Sequence, residues 1–216
     1  MASSDWELRY QAAGADYLFG TAPNQYLASK AGCFQPGQRA ICLADGEGRN
    51  SVWLAGLGLR LTAVEASATA LAKAAQLAAA RQLSVDFCQQ DMLDDAWPPA
   101  ALHGCYDWVV AIFMQFARPA QRDKQFADML RLCRPGGRLL LLGYTPAQLA
   151  LGTGGPAEID QLYTPQLLRQ AFAGCQIEEL VEYEAELQEG LRHQGRSALI
   201  GMIARLSMPP RRGRAD

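Results

Sequence analysis

Residues Arg39-Ala40-Ile41-Cys42-Leu43-Ala44-Asp45-Gly46-Glu47-Gly48-Arg49-Asn50 set a short apolar run directly before a turn that holds two glycines. The run predicts a β-strand at Arg39–Leu43, and the stretch Asn50 to Leu57, closed by Gly58, predicts the helix after it. Glycines between a strand and a helix let backbone approach a ligand, and a helix N-terminus behind them favours hydrogen-bonding groups there. A Gly-x-Gly alone is also an ordinary turn, so the reading depends on what surrounds it.

Downstream the same unit repeats. Arg60 to Val64 is a second apolar run, and Ser67 can cap the alanine-rich helix Ala68 to Arg81. Ser84 to Cys88 and Tyr106 to Phe113 read as a third and a fourth strand. From Pro119 a helix runs with Phe126, Met129, Leu130 and Cys133 on one face, stopped by Arg134-Pro135-Gly136-Gly137, and Arg138 to Gly143 is a fifth strand. Two helices precede the first strand, at about 5–13 and 23–32. Uniformly apolar strands alternating with helices imply a parallel sheet buried on both faces. After a helix at about 165–172, the stretches 176–187 and 197–206 have no room for a crossover, so they pair antiparallel across a loop of about eight to ten residues. The expected architecture is an α/β, Rossmann-like, doubly wound seven-stranded sheet, mostly parallel, with a C-terminal antiparallel β-hairpin.

The chain has 216 residues and is half apolar, enough for one domain over 1–207, with 1–34 as a helical cap and 208–216, with its paired prolines and three arginines, as a flexible tail. A net charge of −2 gives no general attraction for nucleic acid or a membrane surface, and no apolar run approaches a membrane span. The opening Met1-Ala2-Ser3-Ser4-Asp5 has no signal-peptide pattern, so a cytoplasmic location is expected. Six cysteines without a C-x-x-C pair read as reduced thiols, and two histidines are too few for a zinc site, so no metal is expected. The partner expected is a small molecule, and the chain a monomer or homodimer.

Ligands of open α/β sheets bind beyond the carboxyl ends of the strands. Glu65 closes the second strand, where a carboxylate can accept from both ribose hydroxyls of a nucleoside. Asp91, after the third strand, can accept an adenine amino group. The binding candidates are Ala44, Asp45, Gly46, Gly48, Asn50, Glu65, Ala66, Asp91, Met92 and Ile112. A nicotinamide dehydrogenase would need a third glycine where Ser51 stands.

Taken in order, the run from Leu43 to Asn50, then Val64-Glu65-Ala66-Ser67, Gln90-Asp91-Met92 and Arg134-Pro135-Gly136-Gly137 resemble the motifs of class I S-adenosylmethionine-dependent methyltransferases. Phe19-Gly20-Thr21-Ala22-Pro23-Asn24, the Gly-Glu-Gly-Arg-Asn loop, Leu162-Tyr163-Thr164 and Glu189-Gly190-Leu191-Arg192-His193 resemble the tellurite-resistance-type branch. The resemblance implies S-adenosylmethionine as methyl donor, S-adenosylhomocysteine as product, and an N-terminal segment over the cofactor, with Tyr10 or Phe19 touching ligand. The sequence departs from the first motif at two places. Cys42 stands where the family has an acid and Ala44 where it has a glycine, so the acid's role passes to Asp45. A cofactor-binding regulator or degenerate paralogue is the alternative these departures raise.

The acceptor side follows from the same strand-end logic. Phe113 and Gln115 follow the fourth strand, Tyr163 follows the glycine-rich segment 152–156, and the loop 189–196 carries Arg192, His193 and Arg196. Tyr163, His193 and Arg196 are the catalytic candidates; Tyr10, Phe19, Phe113 and Gln115 the substrate candidates. The arginines can equally be solvated surface, and His193 can be surface or site. An Asn-Pro-Pro-Tyr motif is absent after the fourth strand, which favours a small acceptor, soft or anionic: a thiol, a chalcogen oxyanion or a small acid.

Overall fold

The computed structural model describes residues 3–208. The tail expected at 208–216 therefore falls, apart from Met208, outside the described residues. Helices α1 (Ser3–Ala12) and α2 (Gln25–Ser29) lead into the alternation β1 (Arg39–Leu43), α3 (Arg49–Gly56), β2 (Arg60–Glu65), α4 (Ala68–Ala80) and β3 (Asp86–Gln89). β4 (Tyr106–Ile112), α5 (Pro119–Leu132) and β5 (Cys133–Tyr144) continue it. Two short helices, α6 (Gln148–Leu151) and α7 (Pro165–Ala171), then precede the long pair β6 (Cys175–Glu189) and β7 (His193–Leu206).

The sheet has seven strands in the order β3-β2-β1-β4-β5-β7-β6. β1 pairs in parallel with both β2 and β4, while β7 runs antiparallel between β5 and β6. Chain order reverses between β1 and β4, the position at which α/β sheets open a crevice. Alternation along each strand feeds both faces: Ile41, Val109 and Leu139 pack with Phe126, Met129 and Phe172, while Ala40, Cys42, Trp108 and Leu140 pack with Leu54 and Phe34. Ser67 caps α4 by accepting from the Ala70 amide at 3.0 Å, as expected from the sequence.

Some boundaries differ from expectation, each for a local reason. Pro23 lies outside α2, whose cap is Asn24, accepting from the Leu27 amide. Cys133 is the first residue of β5, opposite Tyr106, rather than the last turn of α5, because a register irregularity absorbs Arg134 to Gly137 into the strand. The hairpin turn is only residues 190–192, and β6 and β7 stay paired out to Glu189 and His193. Polar residues made those strand ends look like loop, because one face is solvated, with Gln188, Gln194 and Arg196 exposed, and the other buries the polar Glu189.

At that turn the hairpin meets the segment between α1 and α2. Gly190 has φ +67°, and a Cβ there would collide with the Gly20 nitrogen and the Phe19 carbonyl carbon. The Leu191 amide donates to the Leu18 carbonyl at 2.9 Å. Gly190→Ala should therefore push the N-terminal segment off the hairpin and destabilise the protein by ~1–3 kcal/mol. Chemical denaturation gives the size, and faster amide exchange confined to residues 17–21 and 189–193 identifies the cause; an unchanged unfolding midpoint contradicts it.

Candidate active site

The loop between β1 and α3 sends its charged side chains in three directions. Asp45 turns toward α3, where it accepts from the Ser51 amide at 3.3 Å and from the Ser51 hydroxyl. Glu47 points toward the N-terminal segment and accepts from the Leu18 amide at 2.7 Å and Lys73 Nζ at 2.9 Å. Arg49 reaches the hairpin, pairing with Glu189 Oε2 at 2.7 Å, and donates to the Phe19 carbonyl at 3.3 Å. Gly48, with φ +85°, lets the loop enter α3, and a Cβ on it would lie 2.7 Å from Ala74 Cβ, so helix packing also requires the glycine.

Over this loop lies a cleft of about 860 Å³ including its mouth. Its floor is Ala44, Asp45, Gly46, Glu65, Ala66, Gln90, Asp91, Met92, Leu93 and Ile112, all at carboxyl ends of β1 to β4. Its roof is Trp6, Tyr10 and Phe19 from the N-terminal segment, and Arg49, Asn50, Phe113, Phe116 and His193 complete the wall. Tyr10 hangs over the loop so closely that a Cβ on Gly46 would be 2.8 Å from its hydroxyl oxygen. Asn50 holds the segment from below by accepting from the Asn24 amide at 2.9 Å. His193 packs against Phe19 and Phe113, with ring centroids 4.5 and 4.4 Å away.

Of the sequence candidates, Ala44, Asp45, Gly46, Asn50, Glu65, Ala66, Asp91, Met92, Ile112, Tyr10, Phe19, Phe113 and His193 are brought together here. Gly48 lies beneath the cleft as backbone support. Three others are placed elsewhere. Gln115 is buried, donating to the Tyr144 carbonyl at 2.9 Å and the Gln161 carbonyl at 3.1 Å, so it braces the end of β5. Tyr163 is in the core against Phe126, ring centroids 5.6 Å apart. Arg196 is exposed and paired with Glu184 on β6. On a strand, residues three apart point to opposite faces, so β7 cannot aim His193 and Arg196 at the same cleft. Trp6, Arg49, Gln90, Leu93 and Phe116 line the cleft without having been singled out; Arg49 stood in the quoted loop, but no local pattern marks its partner at Glu189.

Glu65 accepts from the Gly46 amide at 3.0 Å through one oxygen and the Ser67 amide at 2.9 Å through the other. Each carboxylate oxygen has a second lone pair, so both remain available to hydroxyls in the cleft. Burial raises its pKa, although these amides pull it down. Asp91 accepts from the Leu93 amide at 2.9 Å through Oδ1, and Oδ2 makes no hydrogen bond among the described residues. Ala44 takes φ +48°, so the loop keeps the backbone shape usually given by glycine despite the methyl group. Cys42 is buried below Asp45; burial, with that carboxylate above it, pushes its thiol pKa up.

Residues 40–137 match a sequence family described as a methyltransferase domain. No curated protein sequence matches the chain. One similar solved structure is described as the conversion of a disulfide bond into a thioacetal group during echinomycin biosynthesis; it is 20% identical, covers 95% of this chain and 93% of its own, and superposes with a TM-score of 0.77. TehB from Haemophilus influenzae is 18% identical over 87% of this chain, which spans 63% of that protein, with a TM-score of 0.69. Magnesium protoporphyrin IX methyltransferase from Synechocystis PCC 6803, with bound SAH, is 18% identical over 85% of this chain and 82% of that one, with a TM-score of 0.64. The chain thus has the fold of S-adenosylmethionine-dependent methyltransferases and a match to a methyltransferase domain from β1 to the start of β5.

Asp45 has a measurable signature. Burial raises its pKa from 3.8 to about 7, against the pull of the two Ser51 hydrogen bonds. The folded protein keeps this proton while the unfolded chain gives it up, so Asp45 contributes a loss of stability as pH rises from about 4 to about 7. Asp45→Asn should remove that loss. The stability difference, variant minus parent, should grow across this window and level off above it, measured by urea denaturation without ligand. A constant difference would mean Asp45 is not protonated in the folded state.

Proposed function

We propose that the protein transfers the methyl group of S-adenosylmethionine to a small, soft nucleophile. The observation that supports this most is the cleft itself, with acceptors for a nucleoside on its floor and an aromatic wall around His193 at its far side. Glu65 would accept from the ribose hydroxyls and Asp91 Oδ2 from the adenine amino group. Asp45 would face the ammonium group, and Met92 and Ile112 would flank the base. The donor supplies a methyl carbon already activated by a sulfonium, so the chain's task is to align the acceptor with it and exclude water.

The acceptor reading rests on the wall. Trp6, Phe19, Phe113 and Phe116 offer polarizable aromatic surface, suited to sulfur and heavier chalcogens. Arg196 stands outside, so electrostatic capture of an oxyanion draws less support from this site than a soft atom does. Sulfur chemistry also figures in the description of the similar structure concerned with a disulfide and a thioacetal.

Calorimetry should show micromolar-range binding of S-adenosylmethionine and S-adenosylhomocysteine and none of NAD. Glu65→Ala should weaken it, and Asp91→Asn should cost about 1–3 kcal/mol. Tight NAD binding without S-adenosylmethionine binding would end the reading. For the acceptor, S-adenosylhomocysteine release is followed over simple thiols, tellurite, selenite, small carboxylates and amines. Turnover is expected with thiols or chalcogens, and turnover confined to amines would refute the soft-nucleophile assignment.

A further inference from the structure

Glu189 and His193 face each other as cross-strand partners at the base of the β6–β7 turn. His193 Nδ1 lies 3.6 Å from Glu189 Oε2; it is buried and makes no hydrogen bond among the described residues. The ring itself lines the cleft, which leaves Nε2 as the nitrogen a ligand can meet. The carboxylate, by contrast, is fixed from several directions. Its Oε1 accepts from Asn24 Nδ2 at 2.8 Å and the Gln25 amide at 3.3 Å, and its Oε2 from Arg49 Nη2 at 2.7 Å. An immobilised carboxylate this close to a buried ring nitrogen favours the neutral tautomer with its proton on Nδ1, which leaves the lone pair on Nε2.

We infer that Glu189 is a positioning residue for His193, and that His193 is the base for an acceptor that enters the cleft with its proton still attached. This rests on the methyl-transfer reading and narrows its acceptor class to protic nucleophiles, with a thiol as the soft member. The acceptor's lone pair bonds the methyl carbon as the carbon–sulfur bond breaks, and the electrons of that bond neutralise the sulfonium. The acceptor's proton passes to Nε2, and the imidazolium formed is held by Glu189 through Nδ1.

Charge in the cleft supports this choice over a preformed oxyanion. Arg49 is the only lysine or arginine among the described residues lining it, and Glu189 neutralises it at 2.7 Å. The groups facing His193 are Glu189 beside it, Arg49 from α3 and the Tyr144 ring from β5, 6.0 Å away. Burial, with help from Arg49, lowers the histidine's pKa below 6.5 while Glu189 raises it. The ring is thus neutral and able to accept a proton at neutral pH.

The test has two arms on the full chain. The chain has two histidines, so NMR titration of the ring protons follows His193, with His103 as internal control. Glu189→Gln should reduce the proton affinity of His193 about tenfold, one pKa unit, and leave His103 in place. Glu189→Asp, which keeps a charge for Arg49 but withdraws it by one methylene, should fall between. An unmoved His193 midpoint in either folded variant overturns the positioning role. The second arm compares His193→Asn with the parent over a series from acidic aryl thiols to alkyl thiols. A base predicts a rate penalty that grows along the series, to about 100-fold or more at the alkyl end. A penalty that is uniform along the series overturns the base. Failure of the methyl-transfer reading would appear separately, as absent S-adenosylmethionine binding, and the histidine titration would still decide the role of Glu189.

Discussion

The ion pair between Arg49 and Glu189 is the constraint on which the site depends. The two side chains are only 6% and 4% exposed, so neither can turn to water if the other is lost. Breaking such a pair by removing one partner costs on the order of 3–5 kcal/mol, because a charge is left buried. The pair joins the first residue of α3 to the last of β6, and Asn24 and Gln25 converge on the same carboxylate. Glycine loop, cap and hairpin are thereby held in one arrangement. Glu47 and Lys73 do the same on the other side, where Lys73 also donates to the Asp16 carbonyl at 2.8 Å.

How far this could be read from the sequence depends on range. The alternation from β1 to β5 and the antiparallel end are patterns of a few residues each, and they gave the sheet and the location of the cleft. Glu65, Asp91 and the loop followed because strand ends are local features. The outcome was different where the decisive partner was far away in the chain. Nothing near Glu47 announces Lys73, and nothing near Arg49 announces Glu189. Arg196 illustrates a different failure: while the segment 189–196 read as loop, its parity had no meaning. Once β7 begins at His193, parity assigns that side chain and Arg196 to opposite faces. Tyr163 was misplaced because an aromatic after a glycine-rich stretch looks like a lid residue, whereas here it fills the core.

The departures in the first motif are absorbed by the backbone. Ala44 and Phe113 are both non-glycine residues in the left-handed region, at φ +48° and +55°. They follow β1 and β4, neighbouring parallel strands on either side of the switch point. A side chain in that conformation costs about 1–2 kcal/mol, which surrounding structure must offset. Asp45 contributes by capping the start of α3 through Ser51, and Phe113 is held by stacking on Tyr144, centroids 4.7 Å apart. Cys42 leaves no acid under the loop, and Asp45 supplies one three residues later.

The loop end of the cleft and the end at His193 are consequently not independent. Phe19 forms part of the aromatic wall at His193, yet its amide is bonded to Glu47 at 3.4 Å and its carbonyl to Arg49 at 3.3 Å. The residues that shape the glycine loop therefore also set the distance from roof to wall. A substitution at Glu47, which does not line the cleft, would still reach its His193 end, since Phe19 would lose one of its two backbone holds. The shape of the cleft around His193 is in this sense set partly by the loop between β1 and α3, which is why the N-terminal segment and the hairpin must be understood together with it.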